Sequence, residues 1–477
     1  MASPTKVTAV DRCRVSPPPH SVPPTSLPLT FLDIPWLFFS PTQPLFFYDF
    51  PTITTAHFTQ TILPNLKHSL SLTLQHFFPL AGNLVTPPPL SAEPPHLQSA
   101  ESDSVFLTIA EAAETEGGDF KNLTGNHRRM AGDFRGLVPV LLTCEAGSEK
   151  QPLLAVQITV FPESGICMGF ALRHVAADWR TFNNFLSEWA SVSRKGDFME
   201  VDGLVAYHDR SVIKELDPSG LITSSFLNEL WKIKSTQNNQ GSTADANRLS
   251  HDMVRATFVL GPQEMERIKK WILTRAQMLF GPTSAQLLLS PYVITCAFLW
   301  VCWMKTRDWP TNEGQNVDHY FGFIAGGLTR LSYTVPSTYV GNCVGFGRAS
   351  ASRKELLGEN GIVYAAKAIG STIKKLNGDM LGKAKNWISE WKILSGSELH
   401  VTVTGSPKVG LYGLDFGWGR PVKFEEVSID STGAISLCES REVVGGIEIG
   451  VPFTESKMND FCTLFNKGLV QYCIVND

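Results

Sequence analysis

The sequence predicts an α/β (α+β) fold in two domains, on three observations. Strand-like runs and helix-like spacing are mixed in both halves of the chain. At 477 residues the chain is too long for one hydrophobic core, and two units of about 200 residues are the natural division. A hydrophobic fraction of 43% with 18% charged residues is that of a soluble globular protein and excludes a disordered one. Forty-one basic residues against 45 acidic ones give a net charge of −4 with no outstanding basic patch, which argues against nucleic acid as a partner.

Taken in order, residues 1–60 are rich in proline and aromatics and read as extended segments and turns. Trp36 and its aromatic neighbours either pack on a sheet or line an apolar pocket. Residues 55–77 place Phe58, Ile62, Leu63, Leu66, Leu70, Leu72 and Leu74 at mostly helical spacing. "LVPVLLTCEA", "LLAVQITVF" and "ICMGFALRH" read as strands, the last two joined by a hairpin turn at Pro162–Gly165. Trp179, Phe182, Phe185, Leu186 and Trp189 then return to helical spacing. Residues 201–250 read as a crossover between a domain at 1–200 and another at 251–477, and the polar run at 235–250 reads as a surface loop. In the second half, helices are expected near 262–276, from Pro291, and near 362–377. Strands are expected near 400–404, 421–428, 434–437 and 446–451.

Leu287 to Met304 is eighteen residues without a charge, the length of a membrane span. Ser290 followed by Pro291 is a helix-start signal, and a helix from Pro291 to Met304 is only about 21 Å long at 1.5 Å per residue. A buried core helix is therefore expected, with no membrane as partner. The N-terminus carries no apolar run of signal-peptide length. The nine cysteines are odd in number, lack CxxC pairs and lie partly in apolar runs, which predicts reduced thiols and a cytoplasmic protein without a zinc site.

Two motifs carry chemistry. "RHVAADWRTF" puts His174 at a strand end and Asp178 four residues on, in a strand-to-helix turn. Histidine suits general-base work because its unperturbed pKa is near neutrality. Taken alone, the pair reads first as a strand end with an aspartate fixing the turn. "LYGLDFGWGRPVKFE" sets Asp415 before Gly417, Trp418, Gly419 and Arg420, which implies a sharp bend with close backbone approach.

In this order and separation the two motifs resemble the plant BAHD acyl-CoA-dependent acyltransferases. "SLPLTFLDIPWLFF", "SLSLTLQHFFPLAGNL", "LSPYVITCAFLWVCWMK" and "YVGNCVG" extend the resemblance over nearly the whole chain. "GSPKVGLYGLDFGWGRPVK" is similar to the subgroup acylating flavonoid and anthocyanin glycosides. The resemblance implies two chloramphenicol-acetyltransferase-like domains with a channel between them, a monomer, and no metal. It implies acyl-CoA as co-substrate, with malonyl or hydroxycinnamoyl as the acyl group and a phenolic glycoside as acceptor. His174 is then the base, Asp178 and Asp415 are structural, and Thr404 is the oxyanion donor. Lys269, Lys270 and Ser290 match the region that binds CoA, although a solvated helix face and a helix cap account equally for them. Cys343 is expected beside the channel, packed and not nucleophilic.

Four departures from the family pattern stand out. Trp179 follows Asp178 where a small residue is usual, and Arg173 precedes His174 where a second His is common. Phe182 stands where malonyl-transferring members often carry an Arg, with Arg180 two residues earlier. "GGLTRL" keeps only Arg330 and Leu331 of a D-C-R-x-R-L stretch. Trp36, Trp179, Arg180 and Phe182 are therefore the specificity candidates. The rival readings are a carrier-protein condensation domain and a catalytically impaired relative that binds a small molecule or a protein.

Overall fold

The computed structural model describes residues 5–88, 93–113, 119–141, 150–195, 205–214, 216–239, 252–309, 317–394 and 397–473. Two large sheets carry it. The first is ordered Val7–Val15, Val105–Ala112, Leu154–Phe161, Gly165–Leu172, Pro44–Asp49 and Lys423–Glu426. The second is ordered Val344–Ser352, Asp318–Gly326, His400–Gly405, Ile435–Glu439, Ile447–Thr454, Met253–Leu260 and Arg129–Met130. A four-stranded sheet of short strands, from Thr25–Pro28 to Lys150–Pro152, flanks the first.

The halves exchange strands. Lys423–Glu426, from late in the chain, pairs antiparallel with Pro44–Asp49 in the first sheet. Arg129–Met130, from early in the chain, pairs with Met253–Leu260 in the second.

Leu154–Phe161 and Gly165–Leu172 are buried along their whole length, as their apolar composition requires of strands covered on both faces. Leu154, Val156, Ile158, Met168 and Phe170 join a core with the helices Leu63–His76 and Trp179–Lys195. Leu45, Phe47, Phe161 and Cys167 join a smaller cluster on the opposite face. The hairpin between the strands turns through Glu163, at φ 57°. The hairpin therefore delivers His174 to a fixed point, directly after the second strand.

In the second half, Ser290 caps the helix Pro291–Lys305 by accepting from the Val293 amide, with proline at the first turn. Every side chain from Val293 to Met304 is buried. The core of the second sheet takes up the whole apolar surface of this helix. Among the described residues no helix is long and apolar enough to cross a membrane.

Two expectations fail. No strand forms at residues 137–141, where Pro139 lacks the amide a ladder needs; the rest of that run, 142–146, lies outside the described residues. Residues 235–239 of the expected loop are the last turns of the helix Leu221–Asn239, and 240–250 lie outside the described residues.

Candidate active site

His174 sits on a turn built from small residues. Val175, Ala176 and Ala177 are each 1% exposed, so bulkier side chains have no room. Asp178 closes the turn: one carboxylate oxygen accepts from the Thr181 amide at 2.8 Å, capping the helix that starts at Trp179. The other accepts from the Cys343 amide at 3.0 Å, across to the second half of the chain. Among the described residues no hydrogen bond joins Asp178 to His174, so Asp178 holds the turn and not the ring. Thr181 Oγ1 lies 2.9 Å from the Gly341 carbonyl, and Arg173 Nε donates to the Pro152 carbonyl at 3.1 Å.

The partner of His174 is Asn342. Its Oδ1 lies 3.1 Å from His174 Nδ1. The amide nitrogen of Asn342 faces acceptors only: Asp33 Oδ1 at 3.0 Å, the His174 carbonyl at 2.9 Å and the Val175 carbonyl at 3.3 Å. That fixes the amide flip, because a carbonyl oxygen there would meet three other oxygens. Oδ1 accepts, so Nδ1 carries the proton and Nε2 keeps its lone pair. Burial pushes the His174 pKa below its ordinary value, against the pull of Asp178, Asn342 and Asp33. The ring is therefore neutral near pH 7, as a base must be. Trp36 stacks on it, centroids 3.7 Å apart and planes 12° apart.

Asn342 and Asp33 are the site residues that motif reading missed. The local signals were slight. Gly341, at φ 151°, has no room for a Cβ, which would come within 2.9 Å of Tyr339, so the segment is held tightly. Asp33 stands in an apolar run, and an aspartate at 0% exposure needs partners. Cys343 is buried beside them, its thiol pushed up to about 12 by burial and by Asp178, so it is no nucleophile.

The specificity candidates divide. Trp36 is at the ring. Trp179 packs edge-on against Phe182 at 5.8 Å and against Phe424 of the exchanged strand at 5.7 Å, so it fills the space under the turn. Phe182 is 1% exposed in the first core, between Phe170 and Phe185. Arg180 donates to the carbonyls of Ser337 at 2.7 Å and Tyr339 at 2.9 Å, so it clamps the 337–339 segment.

Thr404 lies on His400–Gly405, where Val401 and Val403 enter the second core. His400, Thr402 and Thr404 share the opposite face, and by register so do Tyr320, Ile324 and Phe346. Phe346 stands 5.1 Å from Trp36, so this face is turned toward His174. Asp415 Oδ1 accepts from the Gly417 and Gly419 amides at 2.8 and 3.0 Å, and both glycines have positive φ. Trp418 stacks on Phe416, which packs on Trp189 of the first half, so this motif docks one half on the other. Arg330 binds Asn377 and the Gly326 carbonyl, a structural role. Lys269 pairs with Glu266 on its own helix, Lys270 is exposed, and Ser290 is a cap. None of these three is joined to His174 by a contact among the described residues.

A cavity of about 860 Å³ opens between the edge strand Val344–Ser352 and the helix Gly361–Gly378. Phe346 and Trp387, 5.4 Å apart, line it, as do Arg348, Lys367, Lys375 and Lys383. Neither His174 nor Trp36 lines it; Phe346, which does, stands 5.1 Å from Trp36, the ring stacked on His174.

The fold and site define a two-domain α/β transferase with a buried histidine, His174, where the two halves of the chain meet. The chain belongs to the Transferase family, the BAHD acyltransferases, whose family profile matches residues 5–467. It is 37% identical, over 97% of each chain, to the malonyl-coenzyme A:anthocyanin 3-O-glucoside-6''-O-malonyltransferase of Dahlia pinnata. It is 36% identical, again over 97% of each, to the coumaroyl-CoA:anthocyanidin 3-O-glucoside-6''-O-coumaroyltransferase 2 of Arabidopsis thaliana. Vinorine synthase shares the fold at a TM-score of 0.66 and 18% identity, covering 95% of this chain and 96% of that one.

Proposed function

We propose that this protein transfers an acyl group from acyl-CoA to a sugar hydroxyl of a phenolic or flavonoid glycoside. The observation that carries the reading is a neutral His174 with Nδ1 occupied by Asn342 and Nε2 left to act. Nε2 takes the proton of the acceptor hydroxyl. The oxygen attacks the thioester carbonyl, the C–S bond breaks, and the imidazolium returns the proton to the departing CoA thiolate. Thr404, on the face turned toward the ring, is the donor assigned to the tetrahedral oxyanion. Residues 1–200 supply the base; residues 251–477 supply its amide partner and the oxyanion donor.

The relatives include both malonyl- and coumaroyl-transferring enzymes at nearly equal identity. The geometry of the turn supports one of them. Phe182 is in the core and Arg180 is committed to backbone carbonyls, so this turn offers no guanidinium to a malonyl carboxylate. We infer a hydroxycinnamoyl donor, held in the aromatic cavity with the CoA phosphates toward its lysines and Arg348. Free, mostly buried cysteines support a cytoplasmic enzyme, and it acts as a monomer. Turnover with p-coumaroyl-, acetyl- and malonyl-CoA, with a flavonoid glucoside as acceptor, tests the reading. Faster turnover of malonyl-CoA overturns the donor; no acceptor-dependent CoA release from any of the three overturns the activity.

A further inference from the structure

We propose that Asp33, held by Arg210, is a positioning residue that sets the tautomer of His174 from outside the contact shell of the ring; the proposal rests on the acyl-transfer reading. Three segments remote in sequence meet here: Asp33 from the N-terminal aromatic run, Arg210 from the crossover and Asn342 from the second half. All three are buried, at 0%, 5% and 0% exposure.

Asp33 is saturated with donors. Oδ1 accepts from the amide nitrogen of the Asn342 side chain at 3.0 Å and from its backbone amide at 3.1 Å. Oδ2 accepts from the Thr30 amide at 2.9 Å, the Thr30 hydroxyl at 2.6 Å and Arg210 Nη1 at 2.5 Å. A carboxylate that takes five donors only accepts, so together with the His174 and Val175 carbonyls it admits one orientation of the Asn342 amide, with Oδ1 turned to His174 Nδ1. The opposite flip presents an N–H to Nδ1. The ring then carries its proton on Nε2 and has no lone pair for the acceptor hydroxyl.

Arg210 pairs with Asp33 and faces the Tyr339 ring at 5.7 Å. A guanidinium so deeply buried is costly unless paired. Asp33 also precedes the short 3-10 helix Ile34–Trp36, whose Trp36 stacks on the imidazole. One carboxylate thus controls the edge of the ring through Asn342 and the plane of the ring through Trp36. Because Asn342 belongs to the second half, the base is complete only when the halves are docked.

The test uses the full-length protein with 15N-labelled histidine. Asp33→Asn keeps the shape but lets residue 33 donate as well as accept. Because that change strands Arg210, Asp33→Asn/Arg210→Met removes both charges together and is the paired variant. Wild type should show a protonated Nδ1 and a bare Nε2 for His174, assigned against His174→Ala. In a folded variant the Nε2–H tautomer should appear, kcat should fall about 100-fold, as a misplaced catalytic group does, and KM for acyl-CoA should stay within about twofold. Wild-type kcat, or a wild-type imidazole spectrum, in a folded paired variant overturns the proposal. The imidazole spectrum is read without turnover, so failure of the acyl-transfer reading is seen separately.

Discussion

Two buried polar networks join the halves of this molecule, and they are built on opposite principles. At the exchanged strands, Arg129 and Arg255 grip Glu425 at 2.5 and 2.9 Å, and Arg255 also holds Asp430 at 3.1 Å. Lys423 stands 3.8 Å from Glu425 and 3.9 Å from Glu448, and donates to Asn126 and Thr257. At the histidine, a neutral ring and an amide occupy the centre, and the charges, Asp33 and Arg210, stand one bond further out. The first network sets opposed charges in direct contact. The second centres on a neutral imidazole and keeps its charges one partner away from the ring. Burial alone therefore does not mark a candidate site; what marks this one is a neutral titratable group at the centre of the network.

The largest expected break is at the ring. His174→Ala should lower acceptor-dependent CoA release about 1,000-fold with acyl-CoA binding retained, within the range general-base groups contribute. A variant that releases CoA at the wild-type rate removes His174 as the base. At the ionic network the same kind of change should act on stability and not on chemistry. Arg255→Met strands Asp430, leaves Glu425 to Arg129 and Lys423, and should cost about 3–5 kcal/mol in denaturant unfolding. Its kcat per folded molecule should be unchanged; a loss of kcat at full folding would erase the contrast between the networks.

The contrast extends to pH. His174 is pushed below its ordinary value by burial, so Nε2 loses its lone pair only as pH falls below the usual histidine range near 6.5. The acid limb of kcat/KM should lie below that value, and a limb above it would contradict the buried neutral ring. Burial pushes Glu425 up, but Arg129, Arg255 and Lys423 outweigh it and hold the carboxyl at about 2. A depressed acid stabilises fully above its unfolded value near 4.5 and less as pH falls toward about 2, so unfolding below pH 4.5 should steepen, and Glu425→Gln should flatten it. The smallest effects test the donor's approach. Replacing Lys367 and Lys375 with alanine should raise KM for acyl-CoA about fivefold. Replacing Lys269 and Lys270 should change it less than about threefold, as exposed charges contribute under about 1 kcal/mol each. The reverse order would move the CoA phosphates to the helix that carries Lys269.

Much of the fold was legible because its signals are local. Ser290 and Pro291 start a helix by chemistry confined to one turn, and the structure starts it there. The hairpin at Pro162–Gly165 and the spacing from Trp179 to Trp189 likewise fix His174 at a strand end before a helix. The strand expected at 421–428 forms at Lys423–Glu426, yet joins the sheet of the other half, which no periodicity reveals. What Trp179 packs against was not legible, because its neighbour Phe424 is 245 residues away in the chain.

The sequence by itself determined the class of fold, the position of His174 at a strand end and the family, since each is written in neighbouring residues or in motifs kept in order. Tertiary structure alone decided what the base touches. Asp33, Arg210 and Asn342 are separated by more than a hundred residues at each step, and each sits in an unremarkable local context. Their meaning comes from desolvation. Away from water, a carboxylate, an amide and a ring can satisfy one another in only one arrangement, and only the packed chain brings them together.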